Sequence, residues 1–439
     1  MAVTASRLGN SPITWDWTHF SSDTSAPPVK NWESAWAQLK ARFEKNEVGF
    51  FEAPINKQIS QLDESVALAQ SINASRKFSD CLFLGIGGSS LGPLSMLSAL
   101  QDKRPASHPI RFHFAENPDP MDWNATLQKL NPETTLVCAV TKSGTTFETL
   151  SQLLIALEWL GKPRWKSHVV CITDPQKGDL LQFAKKNDVP TLFIAPPVGG
   201  RFSIFTPVGL FPLALAGLST EEFMKGAATI RDYADKTPAE KNPFFIIGQK
   251  LVDQFESRPI HVCMPYSTRL RMVGDWFVQL WGESLGKDGK GFTPLAALGA
   301  IDQHSILQLL RDGPDDKVTW FVTVDKMGQT AKIPSSVDGI HSHEYPAFAR
   351  LQGHTLESLL KIEYQATSLV LAKRKRPHMS IQLDSLDEKS MGALYFAFSV
   401  LTAFTGTLWG VDPFDQPGVE EGKVYTRESL DRIKQQGHS

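Results

Sequence analysis

At 439 residues the chain is long enough for two or three domains, each with its own hydrophobic core. Its composition, 41% hydrophobic and 21% charged with no low-complexity tract, is that of a soluble globular protein. A formal net charge of −2 argues against nucleic acid or an anionic membrane as partner, yet leaves room for an anionic substrate held by a few focused cations.

The chain opens MAVTASRLGNSPITWDW, with no apolar run long enough for a signal peptide, so a cytoplasmic protein is expected. Residues 1–45 read as an arm rich in Trp, Ser and Pro followed by a helix, NWESAWAQLKARFEKN. A second amphipathic helix covers about residues 57 to 77. The runs CLFLGIG, IRFHFAE, TLVCAVT, HVVCIT and TLFIAP come next, each apolar enough to be a strand buried on both faces. Helical stretches such as LGPLSMLSALQ and FETLSQLLIALEWLG separate them, and this βαβ rhythm predicts a parallel sheet covered by helices. A loop rich in Pro and Gly, APPVGGRFSIFTPVG, breaks the rhythm at residues 195–209. Strands RPIHVCMPY, KVTWFVTV and HMSIQLDS follow with long helices between them, so two α/β domains joined near residue 200 are expected.

From Ser390 to Val411 there are 22 residues without a charge, a length that could span a bilayer. Interspersed Gly, Ser and Thr and the mostly acidic flanks DSLDEK and VDPFDQ favour a helix buried in a core or a subunit interface. No membrane association is expected. Cys81, Cys138, Cys171 and Cys263 share none of the short spacings of zinc or redox sites, and read as reduced core thiols.

Two motifs carry chemistry of their own. Leu84-Gly85-Ile86-Gly87-Gly88-Ser89-Ser90 lies between a strand and a helix, where glycines admit a ligand and helix N–H groups face it. Three readings are open here: a small phosphate, a dinucleotide, or a tight turn without a ligand. The dinucleotide fingerprint would need glycine where Ser90 stands, and Glu116 comes later than the usual ribose ligand. The second motif, Thr141-Lys142-Ser143-Gly144-Thr145-Thr146, gathers four hydroxyls at a helix start. Simple capping would use one or two of them, whereas a monoester phosphate accepts many hydrogen bonds. Two such turns ending neighbouring strands predict a phosphate in their shared crevice.

Four further segments complete a pattern: Gly199-Gly200-Arg201-Phe202-Ser203, the stretch from Gly274 to Lys287 (GDWFVQLWGESLGK), Gly299-Ala300-Ile301-Asp302-Gln303-His304-Ser305, and Asp412 to Lys423 (DPFDQPGVEEGK). In order and over most of the chain, from Gly85 to Lys423, these resemble the phosphoglucose isomerase family, built from sugar isomerase (SIS) domains. The closing motif is the most specific. The hydroxyl loop of that family usually starts with serine; Thr141 retains the hydroxyl.

The resemblance implies two SIS-type three-layer α/β/α sandwich domains, each with a mainly parallel sheet, plus N-terminal and C-terminal helical segments. The boundaries expected are 1–45 for the arm, 46–200 and 201–415 for the two domains, and 416–439 for the C-terminal segment. It also implies isomerisation of glucose 6-phosphate to fructose 6-phosphate through an enediolate, without metal or cofactor. Glu283 then matches the base that moves the proton between C1 and C2, and Gln279 a substrate contact on the same helical face. Arg201 matches the cation beside the enediolate, always protonated. His304 matches a ring-opening histidine supplied by the partner of a homodimer, and Lys423 the lysine that works with it. Gly88, Ser89, Thr141, Lys142, Ser143, Gly144, Thr145 and Thr146 would hold the phosphate. Read in isolation, the same residues are plainer: Glu283 a solvated acid, His304 a helix cap or core residue, Lys423 a surface lysine, Arg201 an inter-domain ion pair. A dual glucose/mannose 6-phosphate isomerase and a silent phosphosugar-binding regulator are the alternatives to the strict isomerase.

Overall fold

The computed structural model describes residues 5–20, 32–107, 110–340 and 344–435. Two short strands, β1 (Ala5–Arg7) and β2 (Ile13–Asp16), precede the first helices. The five apolar runs then become β3 (Asp80–Leu84), β4 (Arg111–Ala115), β5 (Thr135–Thr141), β6 (Val169–Thr173) and β7 (Thr191–Phe193). They form one parallel sheet in the order β4-β3-β5-β6-β7. Every residue of β3, β5 and β6 is buried, because helices cover both faces. Cys81, Phe83 and Val140 meet the helices Leu62–Ser75 and Pro207–Leu215 on one face. Leu82, Leu84 and Val137 meet the helices Phe147–Leu160 and Asp179–Lys186 on the other. The alternation of strand side chains thus divides a continuous apolar run between two cores.

A second sheet contains β8 (Ile260–Pro265), β9 (Thr293–Ala296), β10 (Lys317–Lys326) and β11 (His378–Ser385), in the order β1-β2-β11-β10-β8-β9. β11, β10, β8 and β9 run parallel, while β2 adds antiparallel to β11, with Ile381 opposite Trp15. Here too helices line both faces: Val262, Met264 and Phe321 pack against Leu310 and Leu371, and Cys263, Trp320 and Ile381 face the large central core. Each half is therefore a three-layer α/β/α sandwich around a mainly parallel sheet, as expected.

Two placements differ from the boundaries read in the sequence. The expected arm, residues 1–45, supplies β1 and β2 to the second sheet, and the helix Pro207–Leu215, beyond residue 200, packs on the first sheet. Both are long-range pairings of short segments, which local periodicity does not encode. The uncharged stretch forms the helix Glu388–Trp409. Among the described residues it alone is long and apolar enough to cross a membrane, and 89% of its apolar window is buried inside the protein. Ser399 and Thr402 return their hydroxyls to the carbonyls of Tyr395 and Phe398, at 2.8 and 2.7 Å, which satisfies these two buried donors within the helix. Ser95 of the helix Leu91–Leu100 meets Tyr395 at 2.7 Å, joining it to the first half of the chain. All four cysteines are free and buried, and burial pushes the Cys81, Cys138, Cys171 and Cys263 thiols up, consistent with inert core residues.

Candidate active site

In the first sheet the chain starts at β3, steps outward to β4, then returns to the other side with β5. The crevice between β3 and β5 is the topological switch point, where open parallel sheets bind ligands. The glycine turn leaves β3 there and the hydroxyl loop leaves β5.

The hydroxyl loop is not spent on capping its helix: Thr146, at the N-cap, makes no side-chain cap hydrogen bond. Its hydroxyls converge on one another instead, with Thr141 Oγ1 at 2.7 Å from Thr146 Oγ1 and Ser143 Oγ at 3.3 and 3.2 Å from the two. The N–H and hydroxyl of Thr145 both donate to Ser143 Oγ. Thr173 Oγ1 donates to the Thr141 carbonyl at 2.7 Å and anchors the loop to β6. Lys142 points elsewhere: its ammonium donates to the carbonyls of Pro196 and Val198, at 2.8 and 2.7 Å.

The glycine turn has a second reason to be glycine. A Cβ on Gly88 would lie 2.3 Å from the carbonyl carbon of Gly200, so the backbone beside Arg201 seats directly on the turn. Gly87 is left-handed at φ +57°, and a Cβ there would meet the Gln279 amide at 2.9 Å. Ser203 Oγ donates to the Gly88 carbonyl at 3.1 Å. Buried Ser90 donates to Glu116 Oε1 at 2.5 Å, and Ser89 stays half-buried at the turn. The turn thus lies against the Gly200 and Arg201 backbone and the Gln279 amide, beside the residues expected to carry the chemistry.

Those residues come together across the whole chain. Arg201 is only 3% exposed, in the 3-10 turn Gly200–Phe205. Its Nε donates to Ser284 Oγ at 2.6 Å, its Nη1 to Gln416 Oε1 at 3.1 Å, and its Nη2 to the carbonyls of Pro413 and Asp415. Glu283 Oε1 lies 3.2 Å from Nη1, and Gln279 Nε2 donates to Glu283 Oε2 at 3.0 Å. Gln279 and Glu283 share one face of the helix Arg271–Leu285, as their spacing predicts. Burial lowers the Arg201 pKa, opposed first by Glu283 and then by Asp415 and Asp412. Lys287 braces the segment from below by donating to the Ser284 and Asp412 carbonyls and pairing with Asp415 at 2.9 Å. Ser284, Lys287, Asp415 and Gln416 were not singled out from the sequence, although each lies inside a motif quoted for its resemblance.

His304 and Lys423 sit apart. His304 is exposed at the end of the turn Ile301–His304. Asp302 shapes that turn, accepting from the Leu298 N–H and the Ser305 hydroxyl, both at 2.7 Å. Lys423 pairs with Glu420 at 2.7 Å on the helix Glu420–Gln435, which has no buried residue. Among the described residues no hydrogen bond or ion pair joins either of them to Glu283 or Arg201.

Behind Glu283, Trp281 Nε1 donates to Nδ1 of His261 at 3.1 Å, and Phe292 stacks on the imidazole at 4.1 Å between centroids. Nδ1 must carry a lone pair, and burial lowers the pKa from 6.5 to about 3. Between these values the unfolded chain binds a proton that the folded one refuses, so acid favours unfolding by up to about 1.4 kcal/mol per pH unit. His378, lowered to about 4, acts in the same direction over a narrower range. His261→Gln, which keeps an acceptor for Trp281, is expected to reduce the stability lost between pH 7 and pH 5 by about 2 kcal/mol. Urea unfolding at both pH values measures this; an unchanged difference would mean that the imidazole does not set the slope.

A family model described as phosphoglucose isomerase matches residues 52–438. The glucose-6-phosphate isomerase of Rubrobacter xylanophilus is 40% identical over 401 residues, covering 88% of this chain and 89% of the relative. That of Carboxydothermus hydrogenoformans is 36% identical over 422 residues, covering 91% and 88%. Among solved structures, a hypothetical protein of Thermus thermophilus superposes with a TM-score of 0.83 at 36% identity, covering 91% of this chain and 94% of its own. Matched by that family model over residues 52–438 and 40% identical to such a relative over most of both chains, this protein belongs to the phosphoglucose isomerase family.

Proposed function

We propose that this protein interconverts D-glucose 6-phosphate and D-fructose 6-phosphate, the isomerisation used in glycolysis and gluconeogenesis, and works in the cytoplasm. The observation that carries the reading is Glu283, held between the Gln279 amide and the buried Arg201 guanidinium beside the switch-point crevice. There the converging hydroxyls of Thr141, Ser143, Thr145 and Thr146, with the backbone of Gly144, Gly88 and Ser89, would hold the phosphate. Glu283 carries the proton between C2 and C1, and Arg201, fixed before substrate arrives, stabilises the enediolate oxygen. Gln279 Oε1 is buried without a hydrogen-bond partner, an acceptor that a sugar hydroxyl would satisfy. A coupled assay comparing glucose 6-phosphate with mannose 6-phosphate, run in EDTA, tests the reading. Turnover of the glucose sugar, unaffected by chelation, is expected. Equal turnover of both sugars would favour a dual-specificity enzyme, and no turnover a phosphosugar-binding regulator.

Ring opening is assigned to Lys423 and to His304 of a second copy in a homodimer. Two features support this: His304 is exposed in its own chain, and the helix Glu420–Gln435 presents Val424, Tyr425, Leu430 and Ile433 to solvent. Apolar side chains exposed in this number on one helix fit a subunit contact. Coexpressing Glu283→Gln with His304→Gln, each inactive alone, then yields hybrids with one intact site of two. Random pairing is expected to recover about a quarter of wild-type activity. No recovery would place His304 in its own subunit's site.

A further inference from the structure

We propose that Lys142 is a positioning residue whose side chain ties the Arg201 loop to the hydroxyl loop, with its ammonium turned away from the phosphate. The inference rests on the isomerase reading above.

The loop before Arg201 contains Pro196 and Pro197, neither of which has an N–H to donate. A segment with so few donors must be held through its carbonyls. Lys142 takes two of them, Pro196 and Val198, and the Gly49 N–H takes Pro197 at 2.9 Å. Two of the three ammonium donors are therefore committed away from the Thr141, Ser143 and Thr146 hydroxyls. The lysine backbone is fixed in turn, since its carbonyl accepts from the Asp174 N–H at 3.3 Å at the end of β6. Burial lowers the ammonium pKa and Asp174 opposes this, a balance suited to a strut inside the fold.

The strut spans the two ends of the proposed substrate. Its base sits in the loop expected to hold the phosphate, and its tip holds the segment that continues through Gly200 into Arg201. The Gly200 backbone has no slack, because it lies against Gly88. Cutting the strut should shift the guanidinium relative to the phosphate, and a misplacement of about 1 Å can cost about 10²-fold in rate.

The test uses the full-length protein and two probes. Inorganic phosphate reports the hydroxyl loop, and a five-carbon aldonic acid phosphate, whose carboxylate imitates the enediolate, reports the reacting end. With Lys142→Met, kcat and affinity for the aldonate phosphate are expected to fall by about 10²-fold while inhibition by inorganic phosphate stays within about threefold. Lys142→Arg, which can still reach two carbonyls, is expected to recover most of the lost kcat. If the methionine variant fails to fold, Lys142→Gln, a neutral donor, carries the same comparison. Loss of inorganic phosphate affinity in parallel with kcat would make Lys142 a phosphate ligand and overturn the proposal; so would no change in either. A wild-type protein without isomerase activity would instead sink the isomerase reading, and the phosphate and aldonate affinities would still judge the strut.

Discussion

Glu283→Gln is expected to lower isomerase turnover by about 10³- to 10⁴-fold while phosphosugar affinity changes by no more than about threefold. The carboxamide has nearly the size of the carboxylate, and its oxygen can still accept from Gln279, which now donates to Glu283 at 3.0 Å. What it cannot do is take a proton from carbon. Exchange of the C2 proton with heavy water should vanish together with net isomerisation, because both need the same base. Inhibition by the aldonate phosphate separates loss of the base from loss of the site. Near-normal turnover or retained exchange in the variant would put the base elsewhere.

Arg201→Lys is expected to cost about 10²- to 10³-fold in kcat with a smaller change in KM. Lysine keeps the charge but loses the planar fork. In this site the fork reaches Ser284, Gln416, Glu283 and the carbonyls of Pro413 and Asp415 at once, and one ammonium cannot replace five contacts made from three nitrogens. Acceptors left buried and unpaired cost about 1–3 kcal/mol each, so the melting temperature should fall as well. Steady-state kinetics beside thermal unfolding reads both effects. A rise in KM with unchanged kcat would mean that Arg201 binds the substrate uniformly and does not stabilise the enediolate.

The sequence alone carried the strands of the first sheet, because continuous apolar runs between helical segments allow few other folds. It also carried the hydroxyl loop, whose four clustered hydroxyls exceed what a helix cap needs, and the helical spacing that puts Gln279 beside Glu283. These are local properties: strand period, helix period and composition over a few residues. The catalytic assignments leaned on resemblance, since an acid near glycines or an arginine after a Gly-Gly pair says nothing alone about its partners.

Tertiary structure decided what depends on residues distant in sequence. Ser284 and Gln416 lie 83 and 215 positions from the arginine they hold. The need for glycine at position 88 comes from the Gly200 backbone seated against it, not from the ligand-binding reading alone. Lys142 belongs by sequence to the hydroxyl loop, yet its long flexible side chain reaches the carbonyls of Pro196 and Val198. Strand β2, with β1 paired beside it, finds its other partner, β11, near the opposite end of the chain. The hydroxyl loop and the helix face were therefore determined by sequence itself, because their geometry closes within a few residues. Arg201's setting and the direction of Lys142 were settled only by folding, because a side chain's partners are chosen by which backbone the packed core brings within its reach.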